Sequence, residues 1–282
     1  MSGARSLAKR DTPGTAVVWA GVALVAVAVG AGALTAGVGP GVAGPWLLPT
    51  AVVVAWECVF LARRTGLNRA PEADPAASTP RRTGLGVANA VTLFRGLLYA
   101  AVAGFLLTGR LPGPWAWAPA LLYGAGAALD AVDGAVARGP GRRTVLGEKL
   151  DMGVDTLGFL VAPLVGVAWG RIPVWYLALS AARYLFKLGR WRRERRGLPV
   201  HDLPESRVRR PLAGLQMAFI AVALAPVLPS FVVAVLAAVV VTPSLVVFVR
   251  DYLVVAGHLG GEEDADVPPA TTTNDAGPSG GE

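Results

Sequence analysis

Eight apolar runs, at residues 16 to 38, 46 to 62, 87 to 107, 115 to 138, 146 to 169, 172 to 189, 211 to 228 and 230 to 249, leave this 282-residue chain few folds to choose from. Most reach the roughly 20 residues that a helix needs to cross a bilayer, and proline or arginine bounds the shorter ones. Backbone in hydrocarbon must satisfy its own hydrogen bonds, so runs of this length predict helices and not open sheet. Hydrophobic residues make up 54% of the chain and charged ones 16%, a balance unlike that of a soluble domain. The expected fold class is an all-α polytopic membrane protein.

The basic residues alternate from loop to loop. Residues 1 to 14, 63 to 82, 138 to 149 and 187 to 210, together with Arg250, hold 22 of the 26 Lys and Arg. The intervening loops hold only Arg110 and Arg171, while Arg95 and Arg183 fall inside spans. By the positive-inside rule this predicts a multi-pass protein of the cell membrane with both termini in the cytoplasm. The net charge of +7 is then topological, and no nucleic-acid partner is expected. Cys58, the single cysteine, excludes an intrachain disulfide and a cysteine-rich zinc site.

Composition divides the chain into five stretches. Residues 1–14 read as a cytoplasmic tail, 15–62 as an accessory transmembrane hairpin, and 63–85 as a flexible cytoplasmic linker. Residues 86–256 read as a six-helix bundle, and 257–282 as a disordered acidic tail. Glu57 is the one acid of the hairpin; six residues from Arg63, it is expected to snorkel or pair with a basic neighbour.

Four aspartates carry the chemistry. Asp130 and Asp133 share a helix face at i, i+3, and Asp151 and Asp155 share one at i, i+4. The segment Gly139-Pro-Gly-Arg-Arg143 ends the first helix, and folding back about residue 142 sets Asp133 opposite Asp151 and Asp130 near Asp155. Converging carboxylates repel unless cations lie between them, and hard oxygen donors favour magnesium, manganese or calcium over zinc.

The same residues fit D-x2-D-G-x2-A-R-x8-G-x3-D-x3-D at every specified position, which resembles the signature of the CDP-alcohol phosphatidyltransferases. The resemblance covers the six-helix block and makes it the catalytic bundle. It implies transfer of a phosphatidyl-type group from a CDP-linked lipid to a small polar alcohol, with release of CMP, two divalent ions (Mg or Mn) and a homodimer among membrane lipids. On the same resemblance Asp130, Asp133 and Asp151 are metal ligands, and Asp155 is the general base and a further ligand. Arg138 contacts donor phosphate, Thr144 offers the donor a hydroxyl, and Gly134, Ala137 and Gly147 let nucleotide and backbone approach closely. Asn89 and Thr92 resemble the polar opening of the first core helix, with Ala88 where the family usually has proline; they are either nucleotide contacts or ordinary caps.

The acceptor is read from cations. Arg183 lies seven residues inside Arg190, about 10 Å deep, and either snorkels or clasps an anion. Lys149, Arg183 and Arg190 would suit an acceptor that already carries phosphate, such as glycerol phosphate or inositol phosphate. The run Gly158 to Pro163 resembles the serine-using branch, so serine stays open. Lys187 to Arg196 reads as a lipid-headgroup and topology patch. Two other classes use membrane aspartates: intramembrane prenyltransferases, whose aspartate motifs lie far apart in sequence, and cation transporters, whose sites lie near the midplane.

Overall fold

A computed structural model describes residues 11–69, 84–136, 144–201 and 208–259, with side chains from residue 14 and without those of 132–136. Eight α-helices follow in order among these residues, with no strand: α1 (Asp11–Gly37), α2 (Pro40–Arg64), α3 (Gly86–Gly104), α4 (Ala118–Val136), α5 (Val145–Ala168), α6 (Leu177–Arg195), α7 (Arg209–Leu224) and α8 (Ser230–Val255). Five helical stretches are long and apolar enough to cross a membrane: Gly14–Gly37, Pro40–Leu67, Gly86–Gly104, Val145–Ala168 and Ser230–Val255. The others differ for visible reasons: α7 has only 16 residues, α6 ends in an arginine-rich turn, and α4 carries Asp130 and Asp133. Val17, Leu24 and Val25 on α1 and Phe231 and Val235 on α8 stay exposed, as a lipid-facing surface requires. This is a polytopic all-α membrane protein.

Helix α3 is the hub. It packs extensively on α2, α4 and α5, whereas α4 and α5 touch each other only sparsely. Small residues make this possible on both sides. The Tyr99 ring lies where Cβ atoms on Gly126 of α4 and Gly158 of α5 would stand, 2.5 and 2.7 Å from its carbons. On the other side α2 closes over Gly96 and Gly104, and the Trp46 indole donates to the Ala101 carbonyl at 2.9 Å. The hairpin also reaches α5, where Trp56 and Phe60 cover Gly153, midway between Asp151 and Asp155.

One sequence expectation changes here. Glu57 does not snorkel: it is 1% exposed, its carboxylate lies against Gly96, and Trp19 is its polar neighbour. Six residues turn a helix through about 240° beyond full turns, so Glu57 and Arg63 leave α2 in different directions. In the stretch read as a flexible linker, Arg63 and Arg64 end α2 and Thr65–Leu67 form a 3-10 turn. Asn68 is buried and donates to the Gly84 carbonyl at 2.7 Å, and Val145 N–H donates to the Arg69 carbonyl at 3.0 Å, tying this turn to the start of α5. Residues 70–83 lie outside the described residues, as does the acidic tail from 260.

Replacing Gly158 by Ala should lower stability by about 1–3 kcal/mol, the usual cost of forcing atoms into a filled core. Gly124→Ala is the control, because its Cβ would meet only the Ala221 methyl at 3.9 Å. Thermal midpoints in detergent compare the two, and equal midpoints would show that Tyr99 yields at no cost.

Candidate active site

Three of the four motif aspartates converge on an arginine. Arg95, fully buried on α3, holds Asp130 Oδ1 at 2.8 Å and Asp151 Oδ1 at 2.7 Å with Nη1, and Asp155 Oδ1 at 2.6 Å with Nη2. The carboxylates keep 32, 47 and 30% of their side-chain surface exposed, so the cluster opens outward while its counter-ion is sealed in the core. The fold explains the convergence. Because α3 packs on both α4 and α5, one long side chain from α3 reaches the aspartates of both. Asp130 thus meets Asp151 and Asp155 alike, and the link runs through a third helix.

Among these side chains three carboxylates face one guanidinium. Oxygens of Asp130, Asp151 and Asp155 lie within 4.8 Å of one another. That donor set, all carboxylate and still negative after Arg95 is counted, fits a hard divalent cation. The guanidinium at its focus supplies one positive charge to the three carboxylates. Each carboxylate meets Arg95 through Oδ1 and has a second oxygen. Asp133 lies on α4 one turn beyond Asp130, but its side chain is outside the described residues. Gly134 belongs to the same turn, and Ala137 and Arg138 lie outside the described residues.

The start of α5 is built on a second polar group. Thr144 is its N-cap, accepting from the Gly147 N–H at 3.0 Å and from Asn89 Nδ2 at 3.4 Å. A Cβ on Gly147 would lie 2.6 Å from Asn89 Oδ1, so the space that this glycine leaves is taken by Asn89. Thr92, also buried, returns its hydroxyl to the Ala88 carbonyl at 3.1 Å. Asn89 and Thr144 therefore orient α3 and α5 toward each other beside the aspartates.

The three acceptor candidates part company. Lys149 is exposed on α5. Arg190 pairs with Glu194 one turn on, at 3.0 Å. Arg183 instead turns inward. Its guanidinium lies 3.7 Å from the centre of the Phe159 ring and donates to Gln216 Oε1 at 3.2 Å, near enough to Asp155 for their charges to interact. Lys187, one turn along α6, donates to Thr156 Oγ1 at 3.0 Å, beside Asp155. Ser180 fastens this part of α6 to α5 by donating to the Phe159 carbonyl at 2.7 Å.

Sequence reasoning missed Arg95, Lys187, Gln216 and Ser244. For Arg95 a signal existed, since an arginine inside a span needs a counter-charge and four aspartates needed one too. Lys187 was hidden in a basic run. Gln216 and Ser244 are neutral residues in apolar helices and gave no signal.

A helical membrane protein with an oxygen-rich site for a hard divalent cation, fed by helices that also bear inward-facing cations, is the class that fold and geometry define. The chain belongs to the CDP-alcohol phosphatidyltransferase family, whose family model matches residues 85–257, more than half of the sequence. It is accordingly a divalent-metal-dependent membrane transferase of phosphate-containing groups in phospholipid biosynthesis, moving such a group from a CDP-alcohol to an alcohol acceptor. No curated protein and no solved structure matches it. The match leaves the prenyltransferase and transporter readings without support.

Proposed function

We propose that the protein transfers a phosphatidyl group from a CDP-linked lipid to an alcohol that already carries a phosphate, of the glycerol phosphate or inositol phosphate kind in preference to serine. The observation that carries this is Arg183, a half-buried cation near Asp155 with a neutral partner, one turn from the cation Lys187. A phosphate monoester supplies two charges that a guanidinium binds in a fork, whereas the carboxylate of serine stands beside its own ammonium.

Asp155 serves as the base. Arg95 holds its Oδ1, which orients the carboxylate and leaves the second oxygen to take the proton of the acceptor hydroxyl. That hydroxyl gives its proton to Asp155 as its oxygen bonds to the phosphorus bearing the lipid; the bridging P–O bond breaks and CMP leaves with the electron pair. Asp130, Asp133 and Asp151 would hold two ions, magnesium or manganese, with Asp155 as a further ligand. When bound, these ions neutralise the donor diphosphate and improve CMP as a leaving group. Arg138 contacts donor phosphate, and Thr144, Asn89 and Thr92 line the nucleotide side. The catalytic unit is residues 86–256, and residues 15–62 brace α3 and α5 from outside. We further propose a homodimer of the cell membrane with its termini and active site on the cytoplasmic side, as the basic loops support.

The test is CMP release by the purified full chain with a CDP-diacylglycerol donor and glycerol 3-phosphate, inositol 1-phosphate or serine. Arg183→Ala should raise KM for the phosphorylated acceptor about ten- to a hundredfold, the worth of a charge-assisted hydrogen bond, with donor KM unchanged. Arg183→Lys should recover part of this. Turnover with serine alone, or an unchanged acceptor KM in Arg183→Ala, would overturn the reading.

A further inference from the structure

Two inward arginines among the described residues are held in opposite ways. Arg95 meets three carboxylates, so its charge is spent within the fold. The hydrogen-bond acceptor that Arg183 meets among the described residues is an uncharged amide oxygen, Gln216 Oε1 at 3.2 Å. Gln216 is 3% exposed on α7, and its Nε2 donates to Ser244 Oγ of α8 at 2.8 Å. Ser244, 2% exposed, donates in turn to the Val240 carbonyl at 2.7 Å. A hydroxyl has one proton, and with that proton on Val240 the Ser244 oxygen can only accept from Gln216. The amide is thereby fixed with its NH2 toward α8 and its oxygen toward Arg183. Turned over, it would set two donors against the guanidinium.

We infer that Gln216 is a positioning residue that determines acceptor charge. It holds Arg183 in place without neutralising it, Ser244 locks it in that role, and the guanidinium keeps its full charge for a phosphate monoester. This rests on the proposed reading of Arg183 as the acceptor's anchor. A carboxylate at the same place would hold Arg183 equally well and cancel the charge that the acceptor needs, as three carboxylates do at Arg95. The Phe159 ring adds a hold of the same kind, since it attracts the guanidinium through its π face and carries no net charge. Holding by neutral groups on two sides is what a half-buried cation reserved for a ligand requires.

Gln216→Glu, Gln216→Met and Ser244→Ala, each in the full chain in detergent with a CDP-diacylglycerol donor, test this by separate measurement of acceptor KM, donor KM and kcat. Glycerol 3-phosphate or inositol 1-phosphate is the probe, whichever the wild type uses. Gln216→Glu should raise acceptor KM about ten- to a hundredfold, since it withdraws one charged contact. Donor KM and kcat at saturating acceptor should stay within about twofold, because the aspartate cluster is untouched. Gln216→Met and Ser244→Ala keep the charge of Arg183 and loosen its aim, so acceptor KM should rise by less than in Gln216→Glu. Should the glutamate variant not fold, these two carry the test, and an unchanged acceptor KM in both overturns the inference. A folded Gln216→Glu with wild-type acceptor KM, or with donor and acceptor KM rising together, also overturns it. If Arg183→Ala weakens acceptor binding while Gln216→Glu does not, the inference alone fails; if the wild type uses only serine, the reading beneath it fails as well.

Discussion

Replacing any one of Asp130, Asp133 and Asp151 by asparagine should cut turnover more than about a hundredfold, the scale on which lost electrostatic stabilisation of a transition state operates. The argument is one of charge. The substitution keeps the shape and one oxygen but removes a negative charge from a cluster in which Arg95 already cancels another. An ion held by fewer anions binds more weakly, so part of the loss should be recovered by raising manganese, and excess chelator should silence the wild type. Asp155→Asn should behave differently: kcat should fall far more than donor affinity, because the neighbouring aspartates still hold the ions that meet the donor diphosphate. CMP release at varied donor and metal concentration separates these outcomes. Wild-type turnover undiminished in chelator would end the metal assignment, and equal loss of donor affinity and kcat in Asp155→Asn would make that residue chiefly a ligand.

How far the sequence discloses this site depends on the kind of residue. The aspartates were legible because their spacing is rigid: i, i+3 and i, i+4 on either side of a Gly-Pro break define faces and depths without further information. Helix existence was legible for the same reason that membranes permit few structures. Helix ends were less so. Hydropathy stops where lipid stops, but hydrogen bonding does not, so α8 runs on to Val255 and α6 carries its arginines to Arg195. What sequence could not supply was contact between helices distant in the chain. Arg95 lies 56 residues from Asp151, and Glu57 meets Gly96 across two elements. A count of basic residues by loop leaves Arg95 merely inside a span, and nearness in sequence points Glu57 to Arg63, whereas the fold gives each its neighbours from other helices. The pair Gln216 and Ser244 lies further still from legibility, because a neutral amide is informative only once the charge beside it is known.

Arg95 leads to the second large effect. Arg95→Met keeps much of the side chain's volume and removes its charge, leaving Asp130, Asp151 and Asp155 facing one another within 4.8 Å. Removing one member of a buried ion cluster costs about 3–5 kcal/mol, and the low end applies here because the aspartates are partly exposed. In chelator the variant should therefore unfold well below the wild type. Divalent metal should reverse this. A ligand stabilises the state that binds it in proportion to the logarithm of its concentration over Kd. A cluster with no resident cation should bind manganese more tightly than one whose Oδ1 atoms already engage a guanidinium. Millimolar manganese should raise the thermal midpoint of Arg95→Met by more than that of the wild type, while turnover stays low because Asp151 and Asp155 have lost the group that orients them. Arg95→Lys should fall between, since one ammonium cannot span three carboxylates as a planar fork does. If Arg95→Met in chelator is as stable as the wild type, and manganese shifts both equally, then the arginine is not what holds these aspartates together, and their convergence must come from helix packing alone.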